Sequence, residues 1–264
     1  MQFTATLLTL AMALSATAGP IDRIVKDKRQ NACSSYTIIN TRGTGEAQGE
    51  STGFRTMNSN IRREVSGGST YNTVYAAGAS QNSAAGTRDI IARITSELRS
   101  NPNRCFVLEG YSQGAAATTN ALPDIAGAAF DAVKAVFLIG NPLHQRGLEC
   151  NVDQNGGTTT RNVRGISAGL GAGIPSNWIS KTLDVCNFGD GVCDTTNGAG
   201  INAAHLAYPR LTSVQNLGTD FVVAALESGN TGGGVGGGDP TPQPAECPYK
   251  IYTYLCPYWE ARQN

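Results

Sequence analysis

A parallel-sheet α/β fold is what this sequence predicts, on three observations. Short apolar or β-branched runs alternate with segments whose apolar residues recur at helical spacing, the order that builds a parallel sheet wrapped by helices. One run, Val133 to Ile139, is almost continuously apolar, as a strand buried on both faces must be. The stretch Gly110-Tyr111-Ser112-Gln113-Gly114 stands between a strand-length apolar run and a small-residue run, so strand, tight turn and helix follow one another. The 264 residues suffice for one such domain with a real core.

The elements follow in order. Residues 1–18 read as a signal peptide: Phe3 to Ala16 is apolar and Ala16-Thr17-Ala18 has the A-x-A form of a cleavage site, although no basic segment precedes it. The stretch is too short for a membrane span. Residues 19–29, closing on Lys28-Arg29, read as a pro-segment, and the domain as residues 30–227. Tyr36 to Asn40 is a first core strand, running into the glycine-rich turn Thr41-Arg42-Gly43-Thr44-Gly45-Glu46. Phe54, Met57, Ile61 and Val65 give a helix, Thr73 to Ala76 a second strand, and Ile90, Ile91, Ile94 and Leu98 a second helix ending at Asn101-Pro102. The strand before Ser112, its helix up to Pro123 and the Val133 strand come next. Residues 150–180 are polar and glycine-rich without periodicity, Lys181 to Cys186 is a fifth strand, and Val214, Leu217, Phe221 and Leu226 mark a last helix. Residues 228–240 form a glycine-rich linker. The tail, 241–264, reads as a disordered extension, its rival reading being an aromatic patch that sticks to an insoluble substrate.

Composition excludes several classes. Formal net charge is zero and charged residues make up 15%, so nothing points to nucleic acid or an anionic membrane as partner. Seven cysteines in a chain with a signal peptide imply disulfides with one left over. Cys186 with Cys193, and Cys247 with Cys256, are near enough to close small loops. Cys33 and Cys105 then remain for a long bridge, with Cys150 unpaired, although the sequence leaves the connectivity open.

The chemistry centres on Ser112. The G-x-S-x-G context is that of a nucleophile elbow, with glycines letting strand and helix approach around a strained serine. A serine hydroxyl needs a base. Of the two histidines, His144 follows the Val133 strand closely and is expected to be a surface or loop residue, whereas His205 leaves room for a further strand carrying the acid. Asp184, Asp190 and Asp194 precede His205. Asp190 is the choice because a bridge from Cys186 to Cys193 would hold its carboxylate rigidly. An oxyanion needs donors: the N–H of Gln113, next after the nucleophile, and Thr44 in the turn after the first strand.

The segments Thr41 to Glu46, Gly110 to Ala116, the Cys-x3-Gly-Asp-x2-Cys of 186–193, and Ala204-His205-Leu206-Ala207-Tyr208 occur in an order that resembles the cutinase family. The likeness covers roughly residues 33–227 and is greatest to fungal cutinase-like enzymes that hydrolyse polyesters. It implies a small α/β hydrolase with a central five-stranded parallel sheet flanked by helices. It implies Ser112 as nucleophile, His205 as base, Asp190 as acid, Thr44 and Gln113 as oxyanion donors, and disulfides Cys33–Cys105 and Cys186–Cys193. Many family members carry a serine where Thr44 stands, and bulky apolar residues before the histidine. Here Thr195 to Asn202 offers only Ile201, which is read as an open cleft without a lid. Tyr111 and Ile201 are expected to line it. The expected activity is that of a secreted, monomeric serine esterase acting on cutin, aliphatic polyesters or short-to-medium acyl esters, with neither metal nor organic cofactor. An acetylxylan esterase of the same fold and a non-catalytic surface-binding protein are the rival readings.

Overall fold

The computed structural model describes residues 33–228. The expected signal peptide, pro-segment and tail, the linker beyond residue 228, and the Cys247–Cys256 pair lie outside the described residues.

Six parallel strands form the sheet: β1 (Tyr36–Thr41), β2 (Gly68–Asn72), β3 (Cys105–Tyr111), β4 (Val133–Ile139), β5 (Asn151–Val152) and β6 (Thr182–Val185), in the order β2-β1-β3-β4-β6-β5. Five strands were expected. The sixth, β5, is two residues long and pairs Asn151 with Asp184 and Val152 with Val185 at the sheet edge, too short for any alternation to register in sequence. The second strand also lies earlier than Thr73 to Ala76. Gly68–Asn72 is an edge strand, only partly buried, and so carries no apolar signal. Thr73 to Tyr75 instead crosses the end of β1, where Thr73 N–H donates to Asn40 O.

The helices are α1 (Arg55–Glu64), α2 (Ala84–Ser100), α3 (Gln113–Ala121), α4 (Ala128–Ala132) and α5 (Thr212–Glu227). The alternation along β4 explains why both faces are covered. Ala135, Phe137 and Ile139 join one core with Met57 and Ile61 of α1 and Phe221 of α5, while Val136 and Leu138 join the other with Ile90 and Ile94 of α2. The short side chains of α3, Ala115, Ala117 and Ala121, are fully buried, so this helix lies close against the sheet. Cys33–Cys105 staples the start of β1 to the start of β3, and Cys150 is a buried free thiol.

One buried carboxyl belongs to neither core. Glu109 of β3 is fully buried and accepts from Asn40 Nδ2 at 2.7 Å and Asn58 Nδ2 at 3.0 Å, while its Oε1 has no partner. Burial pushes its pKa up to about 8, against the pull of the two asparagines. A carboxyl whose pKa is raised in the folded state stabilises fully below its ordinary value, 4.5, and loses that contribution as pH rises to about 8. Glu109→Gln is therefore expected to gain on the native protein across that window, by on the order of 3 kcal/mol at its upper end. Melting curves of both proteins from pH 5 to 8.5 check this, and parallel curves would refute it.

Candidate active site

The strand ends converge where the sequence places its chemistry. Thr41 ends β1 and Arg42 follows it, Ser112 follows β3, Gly140 follows β4 and Cys186 follows β6, all at carboxyl ends, where open parallel sheets bind ligands.

Ser112 sits between β3 and α3 with φ +55° and ψ −119°, a region that L-residues occupy at a cost. The flanking glycines make the turn possible. A Cβ on Gly110 would stand 2.6 Å from Ala115 Cα, and one on Gly114 would stand 2.1 Å from Thr41 O, so no other residue fits either position. Ser112 N–H donates to Ile139 O at 3.0 Å, which fixes the turn to the end of β4.

His205 Nε2 lies 2.9 Å from Ser112 Oγ. Its Nδ1 lies 2.9 Å from Asp190 Oδ1 and 3.0 Å from Oδ2. A carboxylate only accepts, so the Nδ1 proton belongs to that bond and Nε2 of the neutral ring presents a lone pair to the serine. His205 opens a 3-10 helix, His205–Arg210, and its own N–H donates to Asn202 Oδ1 at 3.0 Å. Asp190 lies in the loop closed by the Cys186–Cys193 disulfide and is fully buried. Its carboxylate also accepts from Val192 N–H at 2.9 Å and from the Tyr208 hydroxyl at 2.7 Å. Burial, reinforced by the Asp190 charge, holds the Tyr208 phenol well above its ordinary pKa, so it remains a donor. Tyr208 was not singled out in sequence as part of the site. Its place three residues after His205, on the same turn of 3-10 helix, was the available signal.

Gln113 is the first residue of α3, and neither its N–H nor that of Thr44 has an acceptor among the described residues. The Thr44 hydroxyl lies 3.3 Å from Gln113 Oε1 and 3.2 Å from Gln81 Oε1. The turn carrying Thr44 is rigid for reasons within its own motif. The buried Arg42 guanidinium donates to Glu46 O, Gln48 Oε1, Thr73 O and Tyr75 O. The Glu46 carboxylate accepts from Gly43 N–H, Thr52 N–H and the hydroxyls of Ser51 and Thr52.

Ser112 and Gln113 open into a cavity of about 470 Å³. Gln81, Ser83 and Asn120 supply polar lining, while Leu143, Ile166, Leu170 and Ile201 supply apolar lining. Ile166, Leu170 and Ile201 are large apolar side chains that remain exposed. Tyr111, expected in the cleft, is not there. As the last residue of β3 it continues the alternation of Val107 and points into the core shared with α5. From there its hydroxyl donates to His205 O at 2.7 Å and its ring packs 5.4 Å from the imidazole.

His144 is likewise not a surface residue. It is fully buried, with Nδ1 2.9 Å from Asp184 Oδ2 and Nε2 3.1 Å from Thr160 O. Burial works against its charged form, but the charge and hydrogen bond of Asp184, with the Thr160 carbonyl, outweigh it and raise the pKa above the ordinary value. This second histidine–aspartate pair ties the loop after β4 to β6 and does not reach Ser112. Asp194 caps the 3-10 helix Thr195–Asn197 by accepting from Thr196 N–H. Among the described residues no group of three or more His, Cys, Asp or Glu side chains is placed to hold a metal ion, and no helix is long and apolar enough to cross a membrane.

Fold and site together define a small α/β hydrolase. The sequence matches the Cutinase family model over residues 32–226, so the chain belongs to the cutinase family and is a carboxylic ester hydrolase. A solved structure, a novel cutinase-like protein from Cryptococcus sp., is 63% identical, superposes with a TM-score of 0.73, and aligns over 75% of this chain and 97% of its own. An acetylxylan esterase of Hypocrea jecorina is 31% identical over 89% of this chain and 80% of its own length. Cutinase 11 of Verticillium dahliae is 29% identical over 86% and 79%.

Proposed function

We propose that the chain is a secreted, monomeric serine esterase that hydrolyses cutin or aliphatic polyesters, and short-to-medium acyl esters, through an acyl-enzyme. The observation that carries this is the continuous hydrogen-bond line from Ser112 Oγ through His205 to Asp190, opening on a cavity with exposed apolar side chains. Ser112 Oγ attacks the ester carbonyl as His205 Nε2 takes its proton, and Asp190 steadies the imidazolium. The oxyanion is met by the N–H groups of Gln113 and Thr44 and by the Thr44 hydroxyl. His205 returns the proton to the departing alcohol, and water repeats the cycle on the acyl-serine. Secretion is supported by the two disulfides, which persist in oxidising compartments. The monomer reading is supported by a hydrogen-bond line that needs no residue from a second chain.

The apolar cavity lining favours acyl chains longer than acetyl over the acetylxylan esterase reading. On p-nitrophenyl acetate, butyrate and octanoate, kcat/KM is expected to be held or to rise from acetate to butyrate, with turnover of a suspended aliphatic polyester. A fall of about 100-fold or more beyond acetyl would favour the acetylxylan esterase. Failure to react with a fluorophosphonate probe would favour the non-catalytic, surface-binding reading.

A further inference from the structure

Beside the cleft lies a second cavity, about 400 Å³, lined by Gln81, Asn82, Ser83, Thr87, Arg88 and Asn120, with Ala84. Gln81, Ser83 and Asn120 line both cavities, so a substrate seated on Ser112 can extend from one into the other. We propose that this second cavity is a carboxylate subsite. It would take the free acid end of a dicarboxylic half-ester or of a polyester chain, the other end of the acyl group being at Ser112.

Thr87 Oγ1, Gln81 Nε2 and Ala84 N–H are committed to Ala117 O, Thr44 Oγ1 and Asn82 Oδ1, but the side chains of Ser83, Arg88 and Asn120 are not. Ser83 stands at the N-terminus of the 17-residue helix α2, is only 8% exposed, and makes no side-chain hydrogen bond to cap its own helix. The Ser83 hydroxyl lines both cavities and has no hydrogen-bond partner among the described residues, so it is open to an incoming acceptor. The first turn of α2 adds the positive end of its dipole. Among the described residues the Arg88 guanidinium has no ion pair and no hydrogen bond, and the side-chain amide of Asn120 has none either. The neighbouring Asp89 forms no ion pair with Arg88; its carboxylate is turned to the Tyr71 hydroxyl and Val74 N–H, from which it accepts. No acidic side chain lines the cavity, and no aromatic ring offers a sugar a stacking face. A guanidinium, a buried hydroxyl and amide donors around an opening without acids suit a carboxylate.

The inference rests on the esterase reading, and its experiment separates the two. The p-nitrophenyl half-esters of glutarate, adipate and suberate are compared with neutral p-nitrophenyl valerate, using the native chain, Arg88→Ala and Arg88→Glu. The quantity read is kcat/KM for each anionic ester divided by that for the neutral one. That ratio is expected to fall about 5–10-fold in Arg88→Ala and further in Arg88→Glu, through KM, and to fall with added salt in the native chain only. One diacid length should stand out, set by the span from Ser112 to Arg88. If the neutral ester is turned over but the ratio is the same in all three proteins, the carboxylate subsite is wrong and the esterase stands. If the native chain leaves the neutral ester intact, the esterase reading fails and the subsite fails with it.

Discussion

Ser112→Ala is expected to lower kcat/KM on p-nitrophenyl butyrate by roughly four to six orders of magnitude while leaving the fold in place. The size of the loss follows from what the hydroxyl does. It is the atom that would form the covalent intermediate, and among the described residues His205 Nε2, 2.9 Å away, has no other hydroxyl to activate. Donors at Gln113 and Thr44 would still polarise a bound ester, so a small rate above the uncatalysed one remains. Stability should hardly move. The strained φ of +55° is as hard for alanine as for serine. The Ser112 N–H bond to Ile139 O involves only the main chain. A thermal melt within a degree or two of the native protein, with no fluorophosphonate adduct by mass spectrometry, completes the expectation. Retained turnover in a folded Ser112→Ala protein would end the serine-esterase proposal.

What could be read in advance divides along physical lines. The Ser112 turn was legible because its constraint is local: Gly110 and Gly114 are demanded by atoms a few residues away or on the adjoining strand. Strands β1, β3, β4 and β6 were legible because buried parallel strands are rich in apolar and β-branched residues, almost without a break in β4. The edge strands were not, since β2 is half solvated and β5 has two residues, and partial burial writes no pattern. Tyr111 and His144 failed for a shared reason. Whether a side chain at a strand end or in a loop turns inward is settled by partners far off in sequence. For Tyr111 that partner is the carbonyl of His205, and for His144 it is the carboxylate of Asp184 with the carbonyl of Thr160. Tyr208 shows the same limit from the other side. Its hydroxyl becomes part of the site only because the Cys186–Cys193 loop brings Asp190 within 2.7 Å of it.

The two histidine–aspartate pairs allow a sharper experiment than either alone. In Asp190→Asn the amide has one acceptor oxygen for donors that now share two, namely His205 Nδ1–H, Val192 N–H and the Tyr208 hydroxyl. If the oxygen keeps Val192, the NH2 group takes the place of Oδ2, 2.7 Å from the Tyr208 hydroxyl and 3.0 Å from His205 Nδ1; a ring that accepts from it holds the tautomer with its proton on Nε2, where it cannot take one from Ser112. If the amide flips, the oxygen keeps His205 Nδ1–H and the Tyr208 hydroxyl, but a donor is set against Val192 N–H and the imidazolium loses the carboxylate charge that steadies it. Both arrangements are expected to cut kcat by roughly 10³–10⁴-fold with little change in KM, and to cost about 1–3 kcal/mol of stability through an unsatisfied buried group. Asp184→Asn disturbs a pair of the same chemistry and the same depth, with His144 Nδ1 and Asn141 Nδ2 as its donors. It should lose a similar amount of stability and keep kcat within about threefold, because His144 has no path to the serine. Matched kcat and melting measurements on the two variants therefore isolate what Asp190 does through His205. Equal falls in kcat would mean that burying a satisfied carboxylate, rather than orienting the imidazole beside Ser112, is the whole of its role.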